Sequence, residues 1–147
     1  MRRCSFTFTI SVFVFLAGSD KQNLHWTRLA GESTGLANLA RLQGIHGDTN
    51  TVFARVTIQS DADRITKMKF GFSDDVKVFL NDRLIYGGSD VYQSRDYRFL
   101  GTLGFYDELY LPLRKGENEV WMAVTEHFGG WGIKAMLEDG EGVRIAN

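Results

Sequence analysis

Residues 51–59 read TVFARVTIQ, and apolar side chains occupy every second position of this stretch. Successive side chains of a β-strand point to opposite faces of the sheet, so the spacing predicts a half-buried strand. One face would carry the apolar residues Val52, Ala54, Val56 and Ile58. The opposite face would carry Phe53, Arg55 and Thr57. The stretch therefore predicts a sheet that turns one face toward a core.

The same two-residue period recurs through the rest of the chain. Further strands are predicted at Lys67–Ser73, Val76–Leu80, Arg83–Tyr86, Leu109–Leu113, Val120–Thr125 and Ile133–Leu137. Only Ser33–Gln43 has apolar residues near helical spacing, and a short helix and a short strand are both compatible with it. The gaps between most strands are too short for crossover helices, which disfavours parallel βαβ units. We predict an all-β jelly roll or β-sandwich, in which two antiparallel sheets cover each other's apolar faces.

The composition fits one globular domain and argues against several functional classes. The chain has 147 residues, 44% of them hydrophobic, and a formal net charge of -1. Such a balance lacks the basic surface that binding to nucleic acid requires. The single cysteine, Cys4, excludes an internal disulfide, and the three histidines are far apart and match no zinc motif. We therefore predict no nucleic acid partner and no cofactor.

The first residues have the order of a secretory signal. Residues 1–19 read MRRCSFTFTISVFVFLAGS, in which two arginines precede an apolar run and small residues close it. The run from Ile10 to Leu16 is too short to cross a bilayer as a helix. The alternation of Phe6, Phe8 and Ile10 with polar residues also describes an N-terminal strand, which is the alternative interpretation. We predict a signal peptide at residues 1–19, one sandwich domain at residues 20–147, and a secreted or periplasmic protein.

Two segments resemble a known fold family in their order and separation. Residues 76–86, VKVFLNDRLIY, resemble the strand, Asn-Gly turn and strand of galactose-binding-like β-sandwiches, which include the sugar-binding domain of family 2 glycoside hydrolases. Residues 111–124, LPLRKGENEVWMAV, resemble a later strand pair of the same domains. Asp82 stands where glycine is usual, and aspartate tolerates the left-handed backbone needed there. The resemblance implies a non-catalytic accessory module of the kind attached to carbohydrate-active enzymes.

The stretch EHFGGWGI at residues 126–133 is the first candidate carbohydrate site. Its glycines could present Trp131 as a stacking platform for a sugar ring, and Glu126 and His127 would then hydrogen bond sugar hydroxyls. In the alternative interpretation Trp131 is a buried plug over the end of the sandwich. The long connection at residues 87–107 supplies further candidates, since loops of this length are often functional. Those candidates are Tyr92, Arg95, Asp96 and Tyr97, which could equally serve to hold the connection in place.

Metal binding and catalysis have weaker support. Asp61 and Asp63 are candidates for a structural calcium ion, but two carboxylates fall short of the roughly six to eight oxygens that calcium takes. Asp107, Glu108 and Glu126 would form a hydrolytic acid pair only if two of them came within roughly 5–10 Å across a cleft. No nucleophile elbow or phosphate loop is present.

We predict a carbohydrate-binding protein without enzymatic activity. The alternative is a structural or protein-interaction sandwich that has no small-molecule ligand and contacts a partner protein or an enzyme domain.

Overall fold

The structure is a computed structural model that describes residues 4–5, 8–12, 26–42, 50–91, 102–138 and 140–146. Regular structure in these residues is almost entirely strand. The strands are β1 (Cys4–Ser5), β2 (Phe8–Val12), β3 (Thr27–Leu29), β4 (Ala37–Asn38), β5 (Thr51–Ser60), β6 (Arg64–Ser73), β7 (Asp75–Leu80), β8 (Arg83–Ser89), β9 (Asp107–Leu113), β10 (Gly116–Thr125), β11 (Gly132–Leu137) and β12 (Val143–Ala146). Among the described residues, no helix has the length and apolar character needed to cross a lipid bilayer.

The described strands form two antiparallel sheets, which confirms the predicted β-sandwich. In the seven-stranded sheet the order is β3, β2, β5, β10, β7 and β8, and β12 also pairs with β5. In the five-stranded sheet the order is β1, β11, β6 and β9, and β4 also pairs with β11. The long central pair is β5 with β10, which stay in register from Thr51↔Thr125 to Ser60↔Gly116.

The inner faces of the two sheets carry the residues that the alternation predicted. In the seven-stranded sheet the buried side chains include Val52, Ala54, Val56, Ile58, Val76, Val78, Val120, Met122 and Val124. In the five-stranded sheet they include Met68, Phe70, Phe72, Leu109, Leu111, Leu113, Ile133, Ala135 and Leu137. Removing these apolar surfaces from water is the main favourable contribution to folding of the sandwich.

The turn between β7 and β8 is the hairpin that the first family motif predicted. Asn81 and Asp82 both have positive φ, 48° and 70°. A two-residue turn with positive φ at both positions matches the right-handed twist of the flanking strands, and asparagine and aspartate tolerate it. Asp82 therefore replaces the usual glycine without changing the turn.

The interpretation of residues 33–43 as a helix is wrong for the described part, residues 33–42. Ala37 and Asn38 instead form β4, which pairs with Ile133 and Gly132 of β11. A 3₁₀ turn at Leu39–Arg41 follows, and the N–H of Leu39 donates to the carbonyl of Trp131 at 2.9 Å. Pairing with β11 satisfies the backbone here, so helical spacing did not decide the structure.

Residues near the N terminus include strand β2, which pairs with β3 and with residues 52–55 of β5. The other half of the same β5 edge, residues 57–60, pairs with β12. Removal of residues 1–19 as a signal peptide stays a prediction. Such removal would leave one half of this β5 edge without β2.

Candidate functional site

Trp131 is buried, so the hypothesis that it is a stacking platform is wrong. Its side chain is 2% exposed, and its indole N–H donates to the carbonyl of Val124 at 3.2 Å. The neighbouring Gly132 lets other segments approach closely, because a Cβ there would lie 2.8 Å from Leu103 and 2.9 Å from Leu36. Gly132 thus leaves room for Leu36 and Leu103 beside Trp131, and the indole is buried, as in the alternative interpretation.

Glu126 is also buried, which contradicts its predicted contact with a ligand. Its side chain is 0% exposed, and the hydroxyl of Ser73 donates to Oε2 at 3.4 Å. Oε1 has no hydrogen-bond partner among the described residues. Burial of the carboxyl, and next the nearby charge of Asp74, raise the pKa of Glu126 above its usual value. Glu126 is therefore a buried acid rather than a surface ligand group.

His127 is exposed and follows the central strand β10, at one end of the seven-stranded sheet. Its Nε2 is 2.6 Å from Oδ2 of Asp75. Because a carboxylate only accepts, Nε2 carries the shared hydrogen. The backbone N–H groups of His127 and Phe128 donate to Oδ2 of Asp74 at 2.8 and 3.0 Å. Two neighbouring aspartates thus fix both the backbone and the imidazole of His127.

The described structure does not bring the other predicted site residues together into one site. Tyr92, Arg95, Asp96 and Tyr97 lie outside the described residues, and their ligand roles stay predictions. Asp61 forms an ion pair with Arg64, and Oδ1 of Asp63 accepts the N–H of Lys115 at 2.7 Å. Across the described residues, no group of three or more histidine, cysteine, aspartate or glutamate side chains could hold a metal ion.

The three carboxylates considered for hydrolysis have separate partners. Oδ1 of Asp107 accepts the hydroxyl of Tyr86 at 2.7 Å. Glu108 lies 3.5 Å from the ammonium of Lys67 on the five-stranded sheet. Glu126 is enclosed next to Ser73. These partners place the three carboxylates in different surroundings, and this arrangement gives the acid-pair hypothesis no support.

A groove of about 780 Å³ lies on the outer face of the seven-stranded sheet, and sequence reasoning did not identify it. Three rows of residues in register cross β5, β10, β7 and β8 on this face. The polar row is Thr51, Thr125, Asp75 and Ser89; the middle row is Phe53, Ala123, Lys77 and Gly87; the aromatic row is Arg55, Trp121, Phe79 and Leu84. Ala123, Lys77 and Gly87 of the middle row form the floor of the groove.

The floor is low because two of its residues have almost no side chain. Ala123 sits on β10 between Phe53 and Lys77, and Gly87 sits beyond Lys77 on β8. A Cβ built on Gly87 would meet no atom within 4 Å. The half-buried rings of Phe53 and Phe79 stand beside this floor. The arrangement leaves a shallow, open space with aromatic side walls.

The two ends of the groove differ in polarity. At one end the hydroxyls of Thr51 and Thr125 are 2.8 Å apart, and His127 reaches Asp75 beside them. At the other end Trp121 is covered by the ring of Trp26, with centroids 5.0 Å apart in an edge-to-face contact. The guanidinium of Arg55 lies 4.3 Å from the Trp26 ring centroid. The groove therefore has hydroxyl, carboxylate and imidazole groups at one end and Phe79 at the other, next to which Trp121 and Trp26 pack.

Part of this groove was visible in the sequence. The alternation in residues 51–59 assigned Phe53 and Arg55 to the outer face, and His127 was already a site candidate. The neighbour of Phe53 across the sheet, Ala123, was not, because β5 and β10 are far apart in the chain. Sequence spacing along one strand does not reveal which strands lie beside it.

Comparisons with known proteins find solved structures of similar fold but no matching sequence family. No family model matches this chain, and no curated protein does. The GH2 β-galacturonidase from Eisenbergiella tayi, bound to galacturonate, aligns with 93% of this chain at 11% identity and a TM-score of 0.55. The Ruminococcus gnavus β-glucuronidase aligns with 92% at 7% identity and a TM-score of 0.54. The Kluyveromyces marxianus β-glucosidase, in complex with glucose, aligns with 96% at 16% identity and a TM-score of 0.50.

This chain corresponds to a small part of each of those enzymes. It covers 24% of the β-galacturonidase, 28% of the β-glucuronidase and 15% of the β-glucosidase. At such low identity the similarity concerns the fold alone. The chain has the galactose-binding-like β-sandwich fold that its two hairpin motifs indicated.

Proposed function

We propose that the protein is a non-catalytic carbohydrate-binding module that binds a glycan in the groove of the seven-stranded sheet. The groove itself carries this proposal, because it combines a small-residue floor, aromatic side walls and a polar end. A volume of about 780 Å³ lies within the usual range of roughly 300–1,000 Å³ for ligand sites.

The chemistry of the groove suits a sugar. A pyranose ring has apolar C–H faces, which pack on aromatic rings such as those of Phe53 and Phe79. Its hydroxyls donate and accept hydrogen bonds, and Thr125, Asp75 and His127 supply both kinds of group at the polar end. The flat floor leaves space for a chain of sugars to lie across the strands.

The proposed role as an accessory module rests on the fold, which the similar enzymes contain as one part of a longer chain. The similar solved structures are enzymes of which this chain covers 15% to 28%. Two of these structures contain a bound sugar, galacturonate in one and glucose in the other. We also propose export, on the basis of the signal-like order of residues 1–19. The intact mass of protein recovered from the secreted or periplasmic fraction tests export, and a chain retaining residues 1–19 would contradict cleavage.

A groove-filling variant tests the binding site. Gly87→Trp adds an indole to a residue that lines the groove, and its Cβ would meet no atom within 4 Å. A glycan array would first identify a ligand for the parent protein. We expect Gly87→Trp to abolish retention of that ligand on an affinity gel and to leave the melting temperature unchanged.

The matched control is Ile65→Trp, which adds the same ring to the outer face of the other sheet. Ile65 is 72% exposed, so the substitution is tolerated and does not reach the groove. We expect this control to retain the glycan. Equal retention by Gly87→Trp would place any binding elsewhere on the protein and refute the groove as the site.

The second candidate function is docking of another protein domain. It is favoured by the aromatic character of the same face, where Trp26, Phe53, Phe79 and Trp121 cluster. Two results together would support this function instead. The parent protein would bind nothing on the array but would bind another protein domain, and Gly87→Trp would abolish that binding.

A further inference from the structure

We infer that the groove is selective for glycans that carry an anionic substituent, and that Lys77 is the residue that recognises it. This inference rests on the proposed carbohydrate-binding function. The anionic group is a carboxylate, as in a uronic acid, or a sulfate ester on the sugar. Both place a localised negative charge on an otherwise neutral polymer.

Lys77 occupies the centre of the groove floor. On β7 its side chain is exposed, and its register partners are Ala123 on β10 and Gly87 on β8. In most sheets the residues directly opposite a charged side chain can pair with it. Here neither neighbour has a polar side chain, so the sheet offers the ammonium no cross-strand partner.

The other charges on this face already have partners. Arg55 lies 3.5 Å from Glu119, and Asp75 is hydrogen-bonded to His127 at 2.6 Å. The strand lysines of the five-stranded sheet, Lys67 and Lys69, form ion pairs with glutamates. Among the described residues, by contrast, the Lys77 ammonium lies within 4 Å of no carboxylate. Lys77 is therefore available to an acidic group from outside.

The surroundings of Lys77 strengthen such a contact. Phe53 and Phe79 line the same groove as Lys77, and a ligand lying on the floor would exclude water from that space. A charge interaction beside apolar walls is stronger than one in open solvent. A sugar ring stacked on either phenyl group would place its substituents near the ammonium.

The experiment compares polymers that differ in charge and share a backbone. Polygalacturonate is matched by its fully methyl-esterified form, and dextran sulfate is matched by dextran. Affinity electrophoresis of the parent protein should show retention by one of the charged polymers and weaker retention by its neutral match. The first pair tests the carboxylate and the second pair tests the sulfate.

Substitution of Lys77 identifies the residue responsible. Lys77→Met keeps the aliphatic stem and removes the charge, and we expect about fivefold weaker binding to the charged polymer, since exposed ion pairs contribute up to about 1 kcal/mol. Lys77→Glu should weaken binding further, because it adds repulsion. Both variants should weaken binding to the charged polymer by a larger factor than binding to its neutral match. Lys69→Met, on the other sheet, is the control and should behave like the parent protein.

The outcomes separate this inference from the proposed function. Equal binding of charged and neutral polymers, with Lys77→Met unaffected, overturns the charge selectivity and leaves the groove function standing. Equal losses in Lys77→Met and Lys69→Met indicate nonspecific attraction and overturn the role of Lys77. If the parent protein binds none of these polymers and nothing on the glycan array, both the function and the inference fail.

Discussion

The indole of Trp131 packs at the end of the sandwich, where the strand β10 leaves the seven-stranded sheet and β11 enters the other. Of the side chains that the structure describes, it is the largest that is fully buried. Its carbonyl accepts the N–H of Leu39, and its own N–H is bonded to Val124. A single residue thus joins the end of β10, the start of β11 and the turn after β4.

Replacing Trp131 should therefore destabilise the fold. We expect Trp131→Ala to lower the free energy of unfolding by about 3–5 kcal/mol, because it leaves a large cavity and removes a buried hydrogen bond. Chemical denaturation measures the change. Phe128→Ala is the matched control in the same loop, since Phe128 is 91% exposed and its loss should have little effect. A melting temperature unchanged by Trp131→Ala would contradict the burial of the indole.

Glu126 makes stability depend on pH in a defined direction. Its pKa is raised in the folded protein by burial and by Asp74, so the charged form opposes folding. Below the pKa of the unfolded chain, the carboxyl is protonated in both states and does not oppose folding. Stability is lost as the pH rises through the raised pKa of the folded protein, because the buried carboxyl then becomes charged. We expect Glu126→Gln to raise the melting temperature at pH 7 and to make no difference below about pH 4, where the carboxyl is protonated in both states.

Glu138→Gln provides a control of opposite sign. A hydrogen bond from Lys69 lowers the pKa of Glu138, so its ionised form favours the folded state. This variant should lose stability at neutral pH and approach the parent protein as the pH falls through the pKa of Glu138. If Glu126→Gln followed the same course as Glu138→Gln, the buried and uncompensated state of Glu126 would be disproved.

At the level of elements, the two motifs that resemble the family meet in space. Asn81, in the turn between β7 and β8, donates from Nδ2 to Oδ1 of Asn118 at 3.0 Å. Oδ1 of Asn81 accepts the N–H of Glu119 at 2.9 Å. Asn118 is 0% exposed and also bonds the backbone of Arg114 and Gly116. One asparagine therefore ties together two hairpin turns that are far apart in sequence.

This network predicts a large effect of a small substitution. Asn118→Ala should cost about 2–4 kcal/mol of stability, because several buried backbone and side-chain groups lose their partners. Thermal denaturation measures the loss. Gln59→Ala, which removes the exposed bond from Gln59 to Glu117, should change stability by less than about 0.5 kcal/mol. Similar small effects for both variants would contradict a structural role for the asparagine pair.

At the level of the whole molecule, the edge of β5 is covered by two strands from opposite ends of the chain. Residues 52–55 pair with β2, and residues 57–60 pair with β12. The first of these pairings lies beside Phe53, which is part of the groove wall. The predicted signal peptide includes β2, so its removal would open this edge next to the proposed binding site.

A chain that begins at residue 20 tests the consequence. We expect it to fold, because the strands β5 to β12, which carry most of the described core, remain. It should melt at least about 3 °C below the chain of residues 1–147, because nine register pairs are lost: four between β2 and β5, three between β2 and β3 and two between β1 and β11. It should retain the glycan found on the array. Failure of this chain to fold would show that residues 1–19 belong to the domain and would contradict the signal-peptide prediction.

Several features of the whole molecule could be predicted from sequence because they depend on neighbouring residues. Alternation in residues 51–59 and in the later strands determined which side chains face the core, since the pleat of a strand has a period of two. Asn81 and Asp82 determined the hairpin turn because few other residues accept positive φ. Facing apolar surfaces then required a second sheet, so the sandwich also followed.

The binding face was decided by the tertiary structure. The groove exists because β10 lies between β5 and β7, which brings Phe53, Ala123, Lys77 and Gly87 into one row. No local pattern encodes that order, because it arises from pairings between residues as distant as Phe53 and Ala123. The same holds for burial: an indole among glycines can be presented or enclosed, and only packing by segments such as the one containing Leu36 encloses Trp131.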